Sequence, residues 1–325
     1  MDNPSVAELA QAARYAQMPA GAARRADEEL REGLAAPRPR ISPKFLYDVL
    51  GSSLFTAITR LPEYYPTRCE LEIFDAHGQD IARRAGPVQA MIDLGAGDCS
   101  KAERLLRTLH PARYVPVDIS ADYLRDAVVR LQTLYPALEI LALGLDFSES
   151  LALPASVPAR HRLFVYPGSS IGNLDPAQAL AMLERIRAAC PDGGLLIGID
   201  RVKPRDVLER AYDDPLGVTA AFNLNVLRHA NAIAGTDFRV EQWRHVARYD
   251  DTLERVEMHL EARCDLEVSW PGGGRRFARG DRIHTENSHK YRPERFAALL
   301  ERAGFSRQQA WTDARGWYSV FHARA

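Results

Sequence analysis

Short apolar runs alternate with segments of helical periodicity through the middle of the chain. The runs are long enough for buried strands and too short for buried helices. They predict strands over 88–94, 113–119, 138–146, 161–166 and 193–199. The segments between them predict helices over 100–109, 121–135 and 176–189. This βαβ alternation is typical of a Rossmann-like α/β fold with a parallel, doubly wound sheet.

The pattern changes after residue 202. Segments with helical spacing fill 203–234, and the pattern over 238–290 predicts antiparallel strands. Apolar and polar residues alternate strictly over 256–262, as in a strand with one buried face. The proline and three glycines at 271–274 predict a hairpin turn. We therefore expect a second, α+β domain.

The two ends of the chain carry different patterns. Helical spacing predicts a helical arm over 1–36, with apolar residues at Val6, Leu9, Ala13, Ala16, Leu30 and Leu34. At the other end, a helix from Pro293 to about residue 303 is stopped by Gly304. Strands over 305–312 and 316–323 follow and return the chain to the first sheet.

The first predicted strand runs into a turn that contains Gly95 and Gly97 and then into a helix. Glycine lets bare backbone N–H groups approach a ligand, because a side chain there would block the approach. A dinucleotide site would add a third glycine three residues later. That position is Ser100, which argues against a nicotinamide-dependent dehydrogenase. Two glycines after a strand also occur in ordinary strand–helix turns, so this turn alone does not identify a ligand.

Carboxylates follow the next predicted strands, at the sheet edge where ligands of doubly wound folds bind. Asp118 lies 23 residues after Gly95, a spacing typical of a carboxylate that binds a ribose diol. Asp146 and Phe147 end the third strand, where a carboxylate and a ring could bracket an adenine. A single aspartate in such a place is most often a helix N-cap. Its repetition at successive strand ends favours a nucleotide-like cofactor.

A pair of tyrosines lies between two prolines in the N-terminal region. Pro62 and Pro66 restrict the backbone around Tyr64 and Tyr65, so we predict a stiffened loop rather than the interior of a helix. From the residues alone, two interpretations stay open. The tyrosines either pack their rings with the hydroxyl groups at the surface, or present those groups to a ligand.

Composition and charge narrow the range of partners and cell compartments. The 325 residues include 42 Lys and Arg against 43 Asp and Glu, a net charge of −1 that favours neither nucleic acid nor a membrane surface as partner. No apolar run approaches the ~20 residues of a membrane-spanning helix, and the N-terminus has no signal-peptide pattern. The four cysteines are far apart in sequence, as expected for reduced thiols in the cytoplasm.

The nine histidines form no metal-binding pattern. None are paired at the spacing of a helical zinc motif. His284 and His289 are five residues apart in a predicted strand and should point to opposite faces. We therefore expect no metal.

Six segments spread along the chain resemble one family, the L-histidine Nα-methyltransferases of ergothioneine biosynthesis, which use S-adenosylmethionine (SAM). The segments are Lys44-Phe-Leu-Tyr-Asp48, Leu61-Pro-Glu-Tyr-Tyr-Pro-Thr-Arg68, Gly168-Ser-Ser-Ile-Gly-Asn-Leu174, Ala211-Tyr-Asp-Asp-Pro-Leu-Gly-Val-Thr-Ala-Ala-Phe-Asn223, Arg255-Val-Glu-Met258 and Thr285-Glu-Asn-Ser288. The resemblance implies a class I methyltransferase fold with a mostly parallel seven-stranded sheet. It also implies three methyl transfers from SAM to the α-amino group of L-histidine, through mono- and dimethyl intermediates.

The resemblance assigns residues of this chain to two binding sites. The implied SAM contacts are Gly95, Gly97, Lys101, Asp118, Asp146 and Phe147. The implied histidine contacts are Tyr64, Asn173, Tyr212, Glu286 and Ser288, with Tyr47, Phe222, Asn223 and Met258 lining the same pocket. In the family, Asn173 and Tyr212 would hold the amino-acid end of the substrate. Glu286 and Ser288, with Tyr64, would bind the imidazole, and the expected catalytic residues are Asn173, Tyr64 and Tyr212.

The resemblance also implies how the chain divides. Residues 1–70 and 203–285 would build the substrate-binding domain, and residues 71–202 and 286–325 the methyltransferase core. We expect a cytoplasmic monomer. The main alternative is a methyltransferase of the same fold that acts on another aromatic amino acid, such as tryptophan or a derivative. A SAM-binding protein without activity is a second alternative, which the full set of substrate residues disfavours.

The chain departs from the family pattern at two places. Asn287 is polar where relatives often have an apolar residue, but strand alternation should turn it away from Glu286 and Ser288. We therefore expect little effect on substrate choice. The glycine turn continues with Asp98, which could change the affinity for the cofactor. Met258 is explained equally well as a core residue by its own alternation.

Overall fold

The computed structural model describes residues 14–17, 21–148 and 150–325. In chain order, its helices are α1 (Gly21–Ala35), α2 (Val49–Ile58), α3 (Tyr65–Ala85), α4 (Ser100–Leu109), α5 (Ala121–Leu134), α6 (Pro176–Ala189), α7 (Arg205–Tyr212), α8 (Val218–Ala234) and α9 (Pro293–Arg302). Its strands are β1 (Arg14–Gln17), β2 (Ala90–Leu94), β3 (Arg113–Asp118), β4 (Glu139–Gly144), β5 (Arg162–Tyr166), β6 (Gly194–Asp200), β7 (Trp243–Asp250), β8 (Arg255–Ala262), β9 (Leu266–Trp270), β10 (Gly273–Phe277), β11 (Arg282–His289), β12 (Ser306–Thr312) and β13 (Tyr318–Arg324).

The chain divides into two compact units. Unit 1 contains Pro66–Val202, Lys290–Ala325 and the described part of Met1–Met18. Unit 2 contains Lys203–His289 and the described part of Pro19–Tyr65. The expected boundaries after residues 70 and 285 lie instead at 65 and 289. The physical reason for the second shift is that β11 runs to His289 as one strand paired with β8.

Unit 1 is built on an eight-stranded sheet in the order β1-β4-β3-β2-β5-β6-β13-β12. The strands from β1 to β6 pair in parallel, whereas β13 pairs antiparallel with both β6 and β12. The class I methyltransferase sheet and its α/β fold are therefore confirmed, with β1 added at the edge. All residues of β2 and β6 are buried, as expected for parallel strands that are covered on both faces.

Helices α6 and α9 supply part of the apolar core that packs against this sheet. Met182 and Ile186 of α6 and Phe296 and Leu300 of α9 are fully buried in the same cluster as the sheet residues. The predicted start of α6 is confirmed, because Asp175 accepts the backbone N–H groups of the first turn in a capping box. Burial and capping together account for why this segment is helical.

The direction of the strand order reverses between β2 and β5. Strand β2 pairs with β3 on one side and with β5 on the other, and the chain proceeds outward in opposite directions from there. In doubly wound sheets, ligands bind at the carboxyl ends of the strands beside such a switch point. The loops that follow β2 and β5 therefore flank the expected cofactor crevice.

Unit 2 combines helices with small antiparallel sheets. Strands β11, β8 and β7 form a three-stranded sheet in that order, and β9 and β10 form a hairpin through the predicted glycine turn. Eight of the 17 residues of helix α8 are buried, and its Asn225 donates to the Asp48 carboxylate at 2.7 Å. The predicted alternation is confirmed over 256–260, where Val256, Met258 and Leu260 are buried. It fails at Glu261, which is buried and paired with Arg244 and Arg282.

The N-terminal arm is not wholly helical. Residues 14–17 form β1 and pair in parallel with β4 at the sheet edge, and α1 begins only at Gly21. The helix prediction is wrong at Ala16, because hydrogen bonding to an exposed sheet edge overrides weak local periodicity. The predicted positions Val6, Leu9 and Ala13 lie outside the described residues.

The tyrosine pair is only partly in a loop. Helix α3 begins at Tyr65, so Pro66 lies in the first helical turn, where its missing N–H has no helical partner to lose. Tyr64 and Tyr65 are both buried, with exposed fractions of 7% and 2%. The Tyr65 hydroxyl accepts a buried hydrogen bond from Lys203 at 2.8 Å. The interpretation with its hydroxyl at the surface is therefore wrong.

Strand β11 contains an irregularity that periodicity does not reveal. His284 lies opposite His259, but Glu286 lies opposite the next residue of β8, Met258, so the register shifts by one residue. Such a bulge inserts one extra residue, so the next residue on the face of His284 is Asn287 and not Glu286. His289 lies opposite Arg255 and therefore on the same face as His284. The prediction that the two histidines point to opposite faces is wrong for this reason.

Candidate functional site

The glycine turn after β2 has the geometry of a ligand cradle. Gly95 and Gly97 have φ angles of +72° and +53°, which favour glycine. A Cβ atom on Gly97 would meet no heavy atom within 4 Å, and one on Gly95 would meet only the Phe147 ring at 3.8 Å. The backbone of the turn therefore borders open space, as a nucleotide-like cofactor requires. Asp98 accepts the Ser100 N–H at 3.0 Å and so helps to start α4.

Asp118, at the end of β3, is tied to the same turn. Its Oδ2 accepts the Gly97 N–H at 2.8 Å, and its Oδ1 accepts the Ser120 N–H at 2.9 Å. Burial raises the pKa of this carboxyl, whereas the two N–H donors act to lower it. Asp118 thus serves both as a local turn cap and as the link between the first two strand ends.

Phe147 and Asp146 follow β4 at the next strand end. The Phe147 ring packs edge-to-face on Tyr166, with centroids 5.7 Å apart, and lies against Gly95. Asp146 accepts the Ser148 N–H at 3.0 Å. The structure therefore brings the turn, Asp118 and Phe147 together within unit 1. These residues fit a SAM-type nucleoside, because they combine a carboxylate, an aromatic ring and a glycine cradle.

A buried carboxyl lies beneath the turn. Asp93, in β2, is 2% exposed and accepts the Tyr114 hydroxyl at 2.7 Å. Burial raises the pKa of Asp93 to about 7, with Tyr114 and Lys101 acting in the opposite direction. The sequence pattern gives no signal of this raised pKa, which depends on burial.

Asn173 ends a short 3₁₀ helix, Ser170–Asn173, in the loop after β5. The loop begins with two residues in left-handed conformation, Gly168 at φ +76° and Ser169 at φ +58°. The Ser169 hydroxyl accepts the backbone N–H of Asp200 at 2.9 Å. The Asn173 loop is thereby fastened to the neighbouring strand β6.

In unit 2, the structure brings four of the implied histidine contacts together. The Tyr212 hydroxyl and the Ser288 hydroxyl form a buried hydrogen bond of 2.7 Å. The Tyr64 and Tyr212 rings lie edge-to-face with centroids 6.2 Å apart. Glu286 shares the buried face of β11 with Ser288, and both are under 7% exposed. Two tyrosines, a serine and a glutamate thus form one polar and aromatic cluster.

Met258 and Asn287 occupy opposite faces of the same sheet. Met258 lies directly across from Glu286 in the β8–β11 pair and is buried. Asn287 points to the other face, where its Oδ1 lies 2.8 Å from Nε2 of His284. The prediction that Asn287 turns away from Glu286 and Ser288 is confirmed.

An aromatic cluster adjoins these residues. Tyr47 contacts Phe222 and Phe55 edge-to-face, at centroid distances of 5.5 and 5.6 Å. Phe55 also contacts Tyr64 at 6.0 Å and Phe222 at 5.9 Å. Phe55 is therefore the centre of the cluster, although no sequence motif predicts a role for it. Its position seven residues after the segment Lys44-Phe-Leu-Tyr-Asp48 is the available signal.

The Asn223 amide nitrogen is engaged within unit 2, whereas its Oδ1 is buried and has no hydrogen-bond partner among the described residues. Asn223 is fully buried, and its Nδ2 lies 2.9 Å from Nδ1 of His245 and donates to the His259 carbonyl at 3.1 Å. Nε2 of His245 lies 2.7 Å from the carbonyl oxygen of Tyr212. The Asn223 donor leaves Nδ1 as an acceptor, so Nε2 carries the proton and caps the end of α7. The structure thus uses Asn223 and His245 to hold the Tyr212 backbone.

The described ranges contain neither a candidate metal site nor a helix suited to span a membrane. Within them, no group of three or more His, Cys, Asp or Glu residues is arranged to hold a metal ion. In the same part of the chain, no helix is both long and apolar enough to cross a membrane.

Known proteins similar to this chain include histidine methyltransferases. The family model of the SAM-dependent, histidine-specific methyltransferases matches residues 26–325. The chain belongs to this family. Histidine N-alpha-methyltransferase of Mycolicibacterium smegmatis is 40% identical over 306 residues, covering 90% of this chain and 92% of that protein.

Two further relatives extend the comparison. Histidine N-alpha-methyltransferase of Mycobacterium tuberculosis is 40% identical over 303 residues, covering 89% of this chain and 91% of that protein. Ergothioneine biosynthesis protein 1 of Neurospora crassa is 30% identical over 291 residues, which cover 85% of this chain but only 32% of that protein. Membership of the histidine-specific methyltransferase family makes SAM the methyl donor of this protein, in agreement with the cradle in unit 1.

Proposed function

We propose that the protein transfers three methyl groups from SAM to the α-amino nitrogen of L-histidine, giving Nα,Nα,Nα-trimethylhistidine (hercynine), the first step of ergothioneine biosynthesis. The observation that carries the proposal is the buried cluster of Tyr64, Tyr212, Glu286 and Ser288 in unit 2. The names of the relatives at 40% identity support the same substrate.

The reaction is a displacement by a neutral amine, and SAM supplies an electrophilic methyl group. The protein lowers the barrier chiefly by holding the nucleophile in line, close to the ~3–3.5 Å of a near-attack arrangement. We assign Asn173 to orient the lone pair of the amine and Tyr212 to hold the same end of the amino acid. The amine arrives mostly protonated, and in our proposal water or a pocket oxygen accepts the proton before attack.

Substrate choice is assigned to Glu286 and Ser288. A carboxylate accepts one imidazole N–H, and a hydroxyl group satisfies the other ring nitrogen. A site built to hydrogen-bond a ring rejects rings that leave its buried polar groups unpaired. The bond between Ser288 and Tyr212 supports this proposal, because it joins the residue assigned to the ring with the residue assigned to the amino-acid end.

Repeated methylation requires a pocket that accepts a growing cation. The aromatic cluster of Tyr47, Phe55, Phe222 and Tyr64 supports this requirement. Aromatic faces stabilise quaternary ammonium groups by about 2 kcal/mol or more when the cation is desolvated. The mono- and dimethyl intermediates are therefore proposed as substrates in their own right.

The decisive experiment offers SAM and each proteinogenic amino acid in turn to the protein and follows mass gains of one, two and three methyl groups. The proposal expects gains with histidine alone, ending at three. Methylation of tryptophan in preference to histidine would establish the main alternative. SAM binding without any methylated product would establish a non-catalytic module.

We further propose that the protein acts as a cytoplasmic monomer on small molecules, without nucleic acid or membrane. The near-balanced charge supports this. So do the free thiols of Cys69, Cys99, Cys190 and Cys264, because disulfides are rare in reducing compartments. Light scattering after size-exclusion chromatography tests the monomer, and a mass of about 36.3 kDa is expected.

A further inference from the structure

Glu70 is a buried carboxylate in α3 to which neither the SAM contacts nor the histidine contacts assign a role. Its side chain is 0% exposed, and its Oε2 forms an ion pair of 2.8 Å with Nζ of Lys101. The backbone N–H of Gly168 donates to its two oxygens at 2.9 and 3.0 Å. The Tyr318 hydroxyl donates to Oε1 at 2.8 Å. A carboxylate is stable in such burial only when it is paired and hydrogen-bonded in this way.

Two glycines leave room for this group. A Cβ atom on Gly198 would lie 2.1 Å from Oε1 of Glu70 and 2.2 Å from the Tyr318 hydroxyl oxygen. A Cβ atom on Gly168 would lie 2.9 Å from Nζ of Lys101. Gly198 stands inside the fully buried strand β6, where glycine normally weakens a strand. The close approach of Glu70 explains its presence there.

The partners of Glu70 lie on both sides of the cofactor crevice. Lys101 is in the first turn of α4, after β2, and Gly168 begins the loop after β5 that ends at Asn173. Because β2 and β5 are neighbours at the switch point, these two loops flank the place where a ligand binds. Lys101 also stands at the positive end of the α4 dipole, which is unfavourable without a nearby anion.

We propose that Glu70 is a positioning residue that holds the Lys101 turn and the Gly168–Asn173 loop together, so that the crevice binds SAM and presents Asn173 in its active position. The statement about Asn173 rests on the proposed function. The statement that the crevice binds SAM rests only on SAM binding. Glu70 acts through Lys101 and Gly168 and does not itself contact the reacting atoms.

The test compares Glu70→Gln with the unaltered protein and measures the affinity for S-adenosylhomocysteine by calorimetry, in addition to the KM for SAM. Glutamine keeps the shape, removes the charge and turns one acceptor oxygen into a donor that faces other donors. We expect the affinity to fall by about tenfold or more, as for a lost charged hydrogen bond, and the KM for SAM to rise in parallel.

Asp75→Asn is the matched control. Asp75 also lies in α3 and also pairs with α4, through Arg104 at 3.0 Å, but this pair is about half exposed. Its loss should leave the affinity within about twofold, because exposed ion pairs contribute little. Tyr318→Phe removes one donor to Glu70 without touching either loop, and we expect a similarly small change in affinity.

Three outcomes overturn the inference: unchanged affinity in Glu70→Gln, an equal loss in Asp75→Asn, or a lowered melting temperature with unchanged affinity. If Glu70→Gln does not fold, Glu70→Asp decides, because the shorter carboxylate keeps its charge but cannot reach both loops. Wild-type affinity in that variant would overturn the inference too. Histidine left unmethylated by the unaltered protein would sink the proposed function alone, since the binding measurement does not depend on it.

Discussion

At the scale of single residues, the β11 strand turns Glu286 and Ser288 to one face of its sheet and Asn287 to the other. Glu286 and Ser288 face the buried side, and Asn287 between them bonds to His284 on the other side. The motif string alone suggested these roles by resemblance. The one-residue bulge determines which side chains share a face with them, and that depends on pairing with β8.

Glu286→Ala should lower kcat/KM for histidine by about a hundredfold or more, because the imidazole loses its charged acceptor in a buried site. Preference should shift towards bulkier aromatic amino acids. Competition between histidine and tryptophan, read by mass spectrometry, measures both effects. Asn287→Ala is the control from the same strand and should behave like the unaltered protein. Histidine kinetics that survive Glu286→Ala unchanged would show that the assignment is wrong.

Asn173→Ala should reduce turnover by about two orders of magnitude or more, because the amine loses the group that orients its lone pair. Single-turnover kinetics at saturating SAM and histidine separate this effect from binding. Asn173 ends a short helix fastened by Ser169, so the substitution should leave the melting temperature nearly unchanged. Near-normal turnover would contradict the role.

Asp93 should make stability depend on pH. Its folded-state pKa of about 7 lies above the ordinary value of 3.8, so the folded protein retains a proton that the unfolded chain releases. This contribution to stability is fully present below pH 4 and is lost as the pH rises through 7. His322 acts in the opposite direction, because burial lowers its pKa to about 4.

The informative quantity is therefore the difference in free energy of unfolding between the variant and the unaltered protein. Urea unfolding of Asp93→Asn and of the unaltered protein, from pH 5 to pH 8, removes the His322 contribution by subtraction. The variant should gain relative stability as the pH rises through 7. A difference that does not change with pH would mean that Asp93 is ionised throughout.

At the scale of elements, the end of α7 is set by residues distant in sequence. His245 from β7 caps the last carbonyl of α7, and Asn223 from α8 fixes the tautomer of His245. Asn223 is predicted to line the substrate pocket. Its Nδ2 is engaged by His245 and the His259 carbonyl, whereas its Oδ1 has no hydrogen-bond partner among the described residues. Its presence in the family motif does not reveal which of these two roles it has.

Asn223→Leu should cost about 1–3 kcal/mol of stability, because it leaves His245 and a buried carbonyl without their donor. It should also raise the KM for histidine, because the Tyr212 backbone loses its support. Urea unfolding and steady-state kinetics measure the two effects. Asn231→Leu is matched in helix and residue type, since Asn231 bonds to the Phe238 backbone away from Tyr212. A KM raised equally in both variants would contradict the role of Asn223 in supporting the Tyr212 backbone.

At the scale of the whole molecule, the chain leaves unit 1 after β6 and returns at Lys290. The two passes are joined inside unit 1, where the Tyr291 N–H donates to the Asp200 carbonyl at 2.8 Å. Lys290 and Asp200 form an ion pair of 3.0 Å, with side chains 0% and 1% exposed. The two ends of the insertion are therefore held together within unit 1, and β12 and β13 then complete the same sheet.

Asp200→Ala should destabilise the protein by about 3–5 kcal/mol, because it removes the carboxylate beside a fully buried ammonium. Thermal and urea unfolding measure the loss. Asp75→Ala, which breaks an exposed pair, should cost less than about 1 kcal/mol. Equal losses of stability in the two variants would mean that the buried ion pair contributes no more than the exposed one.

The sequence by itself determined the order of strands and helices, the glycine turn, the capped start of α6 and the family, because each depends on residues close together in the chain or on strings of characteristic motifs. Tertiary structure alone decided the β11 bulge, the edge strand β1, the buried contacts of Asn223 and Glu70, and the raised pKa of Asp93. Each of these depends on pairing or burial among residues far apart in sequence. Local periodicity carries no record of such contacts, so only the folded chain shows that Glu70 joins the two loops beside the cradle.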